Sequence, residues 1–189
     1  MLSSSCDRHH IPIIINLGGA NGIGSSTVRL LYNVGAFVIF GDLATSAAEA
    51  LMASLNHPAR VTFVLADTSS YSANMTLFRV AHQKYGRVDH AIACAGISEQ
   101  GKWFDPMLTM ESVAEEPTTK VLDVNLKGVL FFARIAVVFL REGKGSEDRS
   151  LTLLSSVAGF RESPGLTIYQ VSDSPASIAT MIETADFEN

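Results

Sequence analysis

Two hydroxyls late in the chain, Ser156 and Tyr169, stand 13 residues apart. A phenol held against an alcohol or carbonyl oxygen can exchange a proton with it, and a neighbouring serine hydroxyl can hold that oxygen in place. A pair at this spacing is a weak signal by itself, so its meaning depends on its company. That company lies far upstream, in Gly18-Gly19-Ala20-Asn21-Gly22-Ile23-Gly24. The apolar run Ile11-Pro12-Ile13-Ile14-Ile15 precedes the turn, and Ser25-Ser26-Thr27-Val28-Arg29-Leu30-Leu31 follows with helical spacing. A strand, a glycine-rich turn and a helix in that order make a phosphate-binding corner. Backbone N–H groups at the helix start face an anion there, and the helix dipole adds a partial positive charge. Glycines allow the tight turn, the close approach of a pyrophosphate and close helix–sheet packing.

Further candidates fall where apolar runs end. Asp42 lies 18 residues beyond Gly24, after Ala36-Phe37-Val38-Ile39-Phe40. A carboxylate there can accept from both hydroxyls of an adenosine ribose and would repel a 2′-phosphate, which favours NAD over NADP. A helix N-cap is the plainer reading of the same residue. Asp67 ends 61–66 and can accept from adenine or cap the Ser69-Ser70 turn. Cys94-Ala95-Gly96 ends 88–94, and its small residues let a cofactor pass close to the backbone. Cys94 itself reads as a buried, inert thiol. With a nicotinamide at this corner, Ser156 and Tyr169 would sit where hydride moves.

The elements needed to position these groups alternate along the chain. Strands are expected at 11–15, 36–40, 61–66, 88–94 and 150–156. Helices are expected after the glycine turn, at 44–55, at 71–85 with Leu77, Phe78 and Ala81 on one face and Gly86 as the stop, and at 120–141. This last reads as one long helix with Leu122, Leu126, Val129, Leu130 and Ala133 as buried positions. Residues 98–119 form a polar connection from which Trp103 and Phe104 pack onto the body, and 143–149 is a loop. Alternation of this kind specifies an α/β fold: a Rossmann-like, doubly wound parallel sheet in three α/β/α layers. Near-continuous apolar strands fit it, being buried on both faces. The domain is expected over 11–172, between a flexible tail at 1–10 and a divergent tail at 173–189.

Composition narrows the classes. The chain has 189 residues, 47% apolar and 17% charged, with a net charge of −5. That is globular, and it offers no electrostatic reason to expect nucleic acid or an anionic membrane as partner. Cys6 and Cys94 form no zinc or disulfide framework, His9-His10 reads as part of a solvated tail, and no metal site is expected. No signal peptide is legible, and the longest apolar stretch, 129–140, carries Arg134 and is too short to span a bilayer. A soluble, cytoplasmic protein is expected.

Taken together, the glycine turn, Asp42, Asp67, Cys94-Ala95-Gly96, Asp123-Val124-Asn125-Leu126-Lys127-Gly128, Leu154-Ser155-Ser156-Val157-Ala158-Gly159 and Tyr169-Gln170-Val171-Ser172 resemble the short-chain dehydrogenase/reductase family, in order and in spacing, over residues 11–172. The resemblance implies an NAD(P)-dependent oxidoreductase acting on a small alcohol or carbonyl. It implies that Gly18, Asn21, Gly22, Ile23 and Gly24 line the pyrophosphate and nicotinamide, Asp42 the ribose and Asp67 the adenine, with Ala95 and Gly96 beside the cofactor. Asn125 would kink its helix and support a proton-relay water, its plainer reading being a solvent-facing polar residue. Ser156 would orient substrate and Tyr169 would be the acid/base. Members commonly form dimers or tetramers, so a homo-oligomer is an expected partner state.

The resemblance has departures. Leu17 and Cys94 replace a threonine and an asparagine whose hydrogen bonds tie the turn to the fourth strand, which predicts a looser turn. Asp173 stands where the family's Tyr-x-x-x-Lys pattern has lysine. A carboxylate there acts in the opposite direction to lysine, since a second negative charge opposes phenolate formation if Tyr169 and Asp173 share a helix face. Alternatively, Ser174-Pro175 reads as an N-cap and first helical residue where the helix restarts. A short helix around Ile178, Met181 and Ile182 then closes the chain, which predicts a C-terminally truncated family member lacking the last strands of the fold and a wall of the substrate pocket. The alternative function is a non-catalytic relative that binds nucleotide or pairs with a full-length homologue. A methyltransferase is disfavoured by the Ser156–Tyr169 spacing.

Overall fold

The computed structural model describes residues 11–55, 58–100, 103–142, 148–161 and 165–173. The expected tails at 1–10 and 174–189, and most of the loop at 143–149, lie outside the described residues. Along the rest, β1 (Ile13–Leu17), α1 (Gly22–Asn33), β2 (Phe37–Asp42), α2 (Thr45–Ala53), β3 (Val61–Leu65), α3 (Tyr71–Tyr85) and β4 (His90–Ala93) alternate as expected. They are followed by α4 (Lys120–Leu122), a π-helical turn (Asp123–Gly128), α5 (Val129–Glu142), β5 (Ser150–Leu153) and α6 (Thr167–Ser172). The five strands run parallel in the order β3-β2-β1-β4-β5.

Every residue of β1 is buried, because a central parallel strand is covered on both faces. Side chains alternate between two cores with the period of a strand. Ile13, Ile15, Leu17 and Ile39 pack with Leu77 and Phe78 of α3 and Phe132, Ile135 and Leu140 of α5. On the other face Ile14, Val38 and Phe40 pack with Val28 and Tyr32 of α1 and Ala48 and Leu51 of α2. The result is the expected three-layer doubly wound sheet. Gly86 stops α3 in a left-handed conformation (φ 76°) that closes the last turn onto His82.

Two expectations about packing are corrected. The stretch 120–141 is not one regular helix, since the π-turn interrupts it. The extra residue of a π-turn rotates everything beyond it by about 100° relative to a regular helix. Beyond it Val129 and Ala133 are buried as expected, but Leu130, also expected inside, is 43% exposed, and Phe132, Ile135, Ala136 and Leu140 complete the buried face. Phe104, expected on the body, is 71% exposed, whereas Trp103 is half-buried with its indole nitrogen out of solvent. No helix among the described residues is long and apolar enough to cross a membrane.

Candidate functional site

The glycine turn is built by close contact. A Cβ on Gly24 would lie 1.8 Å from the carbonyl oxygen of Gly18, and one on Gly18 (φ +83°) would lie 2.5 Å from the Ala95 backbone. Only glycine fits either place. Gly22 differs: it has φ +49°, and a Cβ there meets nothing within 4 Å, so its left-handed backbone faces open space. The turn hangs from β2 through Gly18 N–H and Gly19 N–H, which donate to Gly41 O at 2.7 and 3.1 Å. Asn21 stands at the N-cap of α1 and makes no side-chain cap. The first-turn N–H groups of α1 thus lack the side-chain acceptor that usually closes a helix start.

Where Leu17 and Cys94 replace the family's hydrogen-bonding residues, other groups tie the turn. Asn16, buried in β1, donates from Nδ2 to Gly24 O at 3.1 Å and fixes the start of α1. Cys94 N–H donates to Leu17 O at 2.8 Å, a backbone tie between β1 and the segment after β4. Burial pushes the Cys94 thiol above its ordinary pKa, with Thr27 acting the other way. Asn16 was passed over by the sequence reading, although one amide among Ile13, Ile14, Ile15 and Leu17 is the signal that finds it.

Next to the turn lies a cavity of about 630 Å³, within the range of small-ligand sites. It is lined by Gly18, Asn21, Gly22, Ile23 and Gly24 from the turn and by Asp42 and Leu43 from the end of β2. Ala66 to Ser69 line it after β3, Cys94 to Ile97 after β4, and Lys120, Asp123 and Val124 from α4 and the π-turn. These are the carboxyl ends of the strands, where open parallel sheets hold ligands. Asp42 accepts Ala20 N–H on Oδ2 and Ala44 N–H on Oδ1, each at 2.9 Å. The N-cap of α2 is Ala44 and not Asp42. Asp67 Oδ1 accepts both the N–H and the hydroxyl of Ser69, at 2.9 and 2.7 Å, while Ser70 caps α3. The plainer roles weighed for Asp67 and the cavity position therefore coexist in one residue.

Asn125, Ser156 and Tyr169 are not part of that wall. Asn125 is buried at the centre of the π-turn and does not face solvent. Its amide pairs with both backbone groups of Ile97, each at 2.9 Å, and Nδ2 also reaches Ser172 Oγ at 3.3 Å. This clamp locks the segment after β4 to the helix, and an inserted side chain–backbone ladder of this kind accompanies a π-turn. Ser156 follows β5, and its Oγ accepts Ala158 N–H at 3.2 Å. Tyr169 lies in α6, whose start is held by Gln170 Nε2 donating to Ala158 O and Arg161 O. Glu99 Oε2 accepts Tyr169 N–H at 2.8 Å, and Glu99 Oε1 is buried without a partner.

Tyr169 and Asp173 do share a helix face. Asp173 N–H donates to Tyr169 O at 3.1 Å, which closes the last turn of α6. Asp173 is 8% exposed, and its Oδ2 is buried with no partner. Burial pushes this carboxyl above its ordinary range, with Tyr169 acting the other way.

A doubly wound parallel sheet with an uncapped glycine turn at its strand ends is a fold of the Rossmann type. More narrowly, the chain belongs to the short chain dehydrogenase family, whose profile matches residues 12–185 and so runs past Ser172, where the motif reading stopped. It is 35% identical over 159 residues to the short-chain dehydrogenase/reductase ascJ of Acremonium egyptiacum, covering 84% of this chain and 50% of that one. The chain spans about half the length of this and two further curated relatives. Among solved structures, a short chain dehydrogenase from Mycobacterium smegmatis superposes with a TM-score of 0.76 at 25% identity, covering 94% of this chain and 71% of that one. A 3-ketoacyl-(acyl-carrier-protein) reductase from Brucella melitensis, complexed with NADH, shares the fold at TM-score 0.71 and 20% identity, covering 86% and 64%.

Proposed function

We propose that the cavity beside Gly18–Gly24 holds a nicotinamide dinucleotide, and that the chain is built for NAD(P)-dependent oxidation and reduction of an alcohol or carbonyl. One observation carries this: the uncapped first turn of α1 and the bare Gly22 face a cavity of about 630 Å³ at the strand ends. Nicotinamide supplies the hydride donor or acceptor when bound. The turn's N–H groups hold the pyrophosphate, Asp42 the adenosine ribose and Asp67 the adenine, with Ile23 and Ala95-Gly96 along the remainder. Both Asp42 oxygens already accept one backbone N–H and keep a lone pair for a ribose hydroxyl. An added 2′-phosphate meets that carboxylate's charge, so NAD is preferred to NADP.

Ser156 orients the substrate oxygen and Tyr169 exchanges a proton with it, while Asn125 secures the segment that faces them. Asp173 impairs this arrangement. Tyr169 and Asp173 share a helix face, Asp173 N–H donating to Tyr169 O at 3.1 Å, and a carboxylate beside the phenol opposes phenolate formation. The second reading, a nucleotide-binding relative without turnover, is favoured by that same contact. NADH titration of the purified chain by calorimetry tests the first part: saturable binding, weaker for NADPH, is expected, and absence of binding overturns it. Turnover tests the second. Rates thousands-fold below an intact relative are expected, and hydride transfer near ~10 s⁻¹, a typical enzyme value, removes the claim of impairment.

A further inference from the structure

The cavity wall carries three carboxylates, Asp42, Asp67 and Asp123, and one cation, Lys120. Each carboxylate has partners already. Asp42 accepts two backbone N–H groups, and Asp67 accepts twice from Ser69. Asp123 is paired with Lys127 one helical turn on, and that hydrogen bond, the largest of its influences, holds its carboxyl below the ordinary range. Lys120 is different: it is exposed, its backbone N–H donates to Thr118 Oγ1 at 3.3 Å, and its ammonium enters no ion pair among the described residues. Val124 lies four residues further along, so the two side chains share a face, and both line the cavity. The glycine turn offers only partial charges from backbone N–H groups, and Lys120 is the one full positive charge among the described residues that line this space.

We propose that Lys120 is a phosphate-binding residue of the cavity, its ammonium taking a phosphate oxygen of the dinucleotide from the α4 side. This rests on the dinucleotide reading above. A lysine ammonium on a phosphate makes a charge-assisted hydrogen bond that is sensitive to salt. The phosphate is either the pyrophosphate, common to NADH and NADPH, or the 2′-phosphate of NADPH alone.

Calorimetric titrations of the full chain with NADH, NADPH and adenosine at two salt concentrations test this in Lys120→Met and Lys120→Arg. Lys120→Met keeps the apolar stem, and its melting temperature should match the parent's because the ammonium has no partner to lose. About tenfold weaker binding of NADH and NADPH alike assigns the pyrophosphate, and a loss confined to NADPH assigns the 2′-phosphate. In either case adenosine binding is unchanged, Lys120→Arg stays close to the parent, and salt dependence is flatter in Lys120→Met. Unchanged dinucleotide affinity in Lys120→Met overturns the proposal, as does an equal loss for adenosine, which makes Lys120 a base contact. A parent chain that binds neither dinucleotide overturns the reading of the cavity itself, a result separate from either of these.

Discussion

The centre of the sheet and its β5 edge are held in different ways. β1 is hydrogen-bonded on both sides, to β2 and β4, and all five of its residues are buried. The glycine turn leaves it through contacts so close that a methyl group cannot enter. β5 is paired on one side only among the described residues, and none of its four residues is fully buried. The segments that follow it carry Ser156, Tyr169 and Asp173, held by side-chain bonds that involve Glu99, Gln170, Asn125 and Ser155. The proposed dinucleotide half of the site is therefore fixed by backbone packing that many residues enforce together. The proposed acid/base half hangs on a short helix and a few polar contacts. The residues proposed for binding and those proposed for chemistry thus stand at positions of unequal enclosure in the sheet.

That contrast can be broken by measurement. Ile15→Ala in β1 should cost about 3–5 kcal/mol in urea unfolding, since the site is fully enclosed and cannot collapse. Leu151→Ala in β5, half-buried, should cost about 1 kcal/mol. Equal costs would abolish the distinction between centre and edge. Gly24→Ala should be nearly as damaging as Ile15→Ala, at about 3 kcal/mol, because the neighbour it strikes is backbone. It should also eliminate dinucleotide binding, whereas a bound and stable Gly24→Ala protein would show that the turn yields.

Asn125→Ala comes next, at about 2 kcal/mol, since both backbone groups of Ile97 lose a partner. The Ile97 amide should then exchange with solvent hydrogen much faster, and unchanged protection would mean that the π-turn holds the segment without the clamp. The smallest effect sharpens the edge itself. Asp173 has a raised folded-state pKa, so folding favours its neutral form. Its contribution is fully present below the ordinary Asp value of about 3.9 and is lost as pH rises through the folded value. Asp173→Asn should therefore match the parent in melting temperature at acid pH and exceed it slightly at neutral pH. A constant difference across pH would show that burial of this carboxyl is not what perturbs it.

Much of the central half was legible because its rules are local. Apolar runs of five residues, glycines at a fixed spacing and a polar residue at each strand end identify strands, a turn and a cavity rim without any knowledge of partners. Leu77, Phe78 and Ala81 could be placed inside for the same reason, since regular helical spacing holds throughout α3. Leu130 lies outside because it stands at the edge of the buried α5 face formed by Val129, Phe132, Ala133 and Ala136. The π-turn itself, whose Asn125 reaches Ile97 28 residues away, is invisible to local spacing. Phe104 was misplaced because hydrophobicity says that a side chain prefers burial, not that a surface is there to receive it.

The sequence by itself determined the alternation of strands and helices, the parallel sheet and the corner at Gly18–Gly24, all of which follow from periodicity and from conformations that only glycine adopts. Tertiary structure alone decided how that corner is tied. Asn16 acts on it from β1 and Cys94 from the segment after β4, and nothing in their spacing announces the contact. It also decided that Asp173 lies under Tyr169, buried, with one oxygen unpartnered. Whether two side chains four residues apart meet depends on where the helix ends and on what covers it, and those are set by packing between elements and not within them.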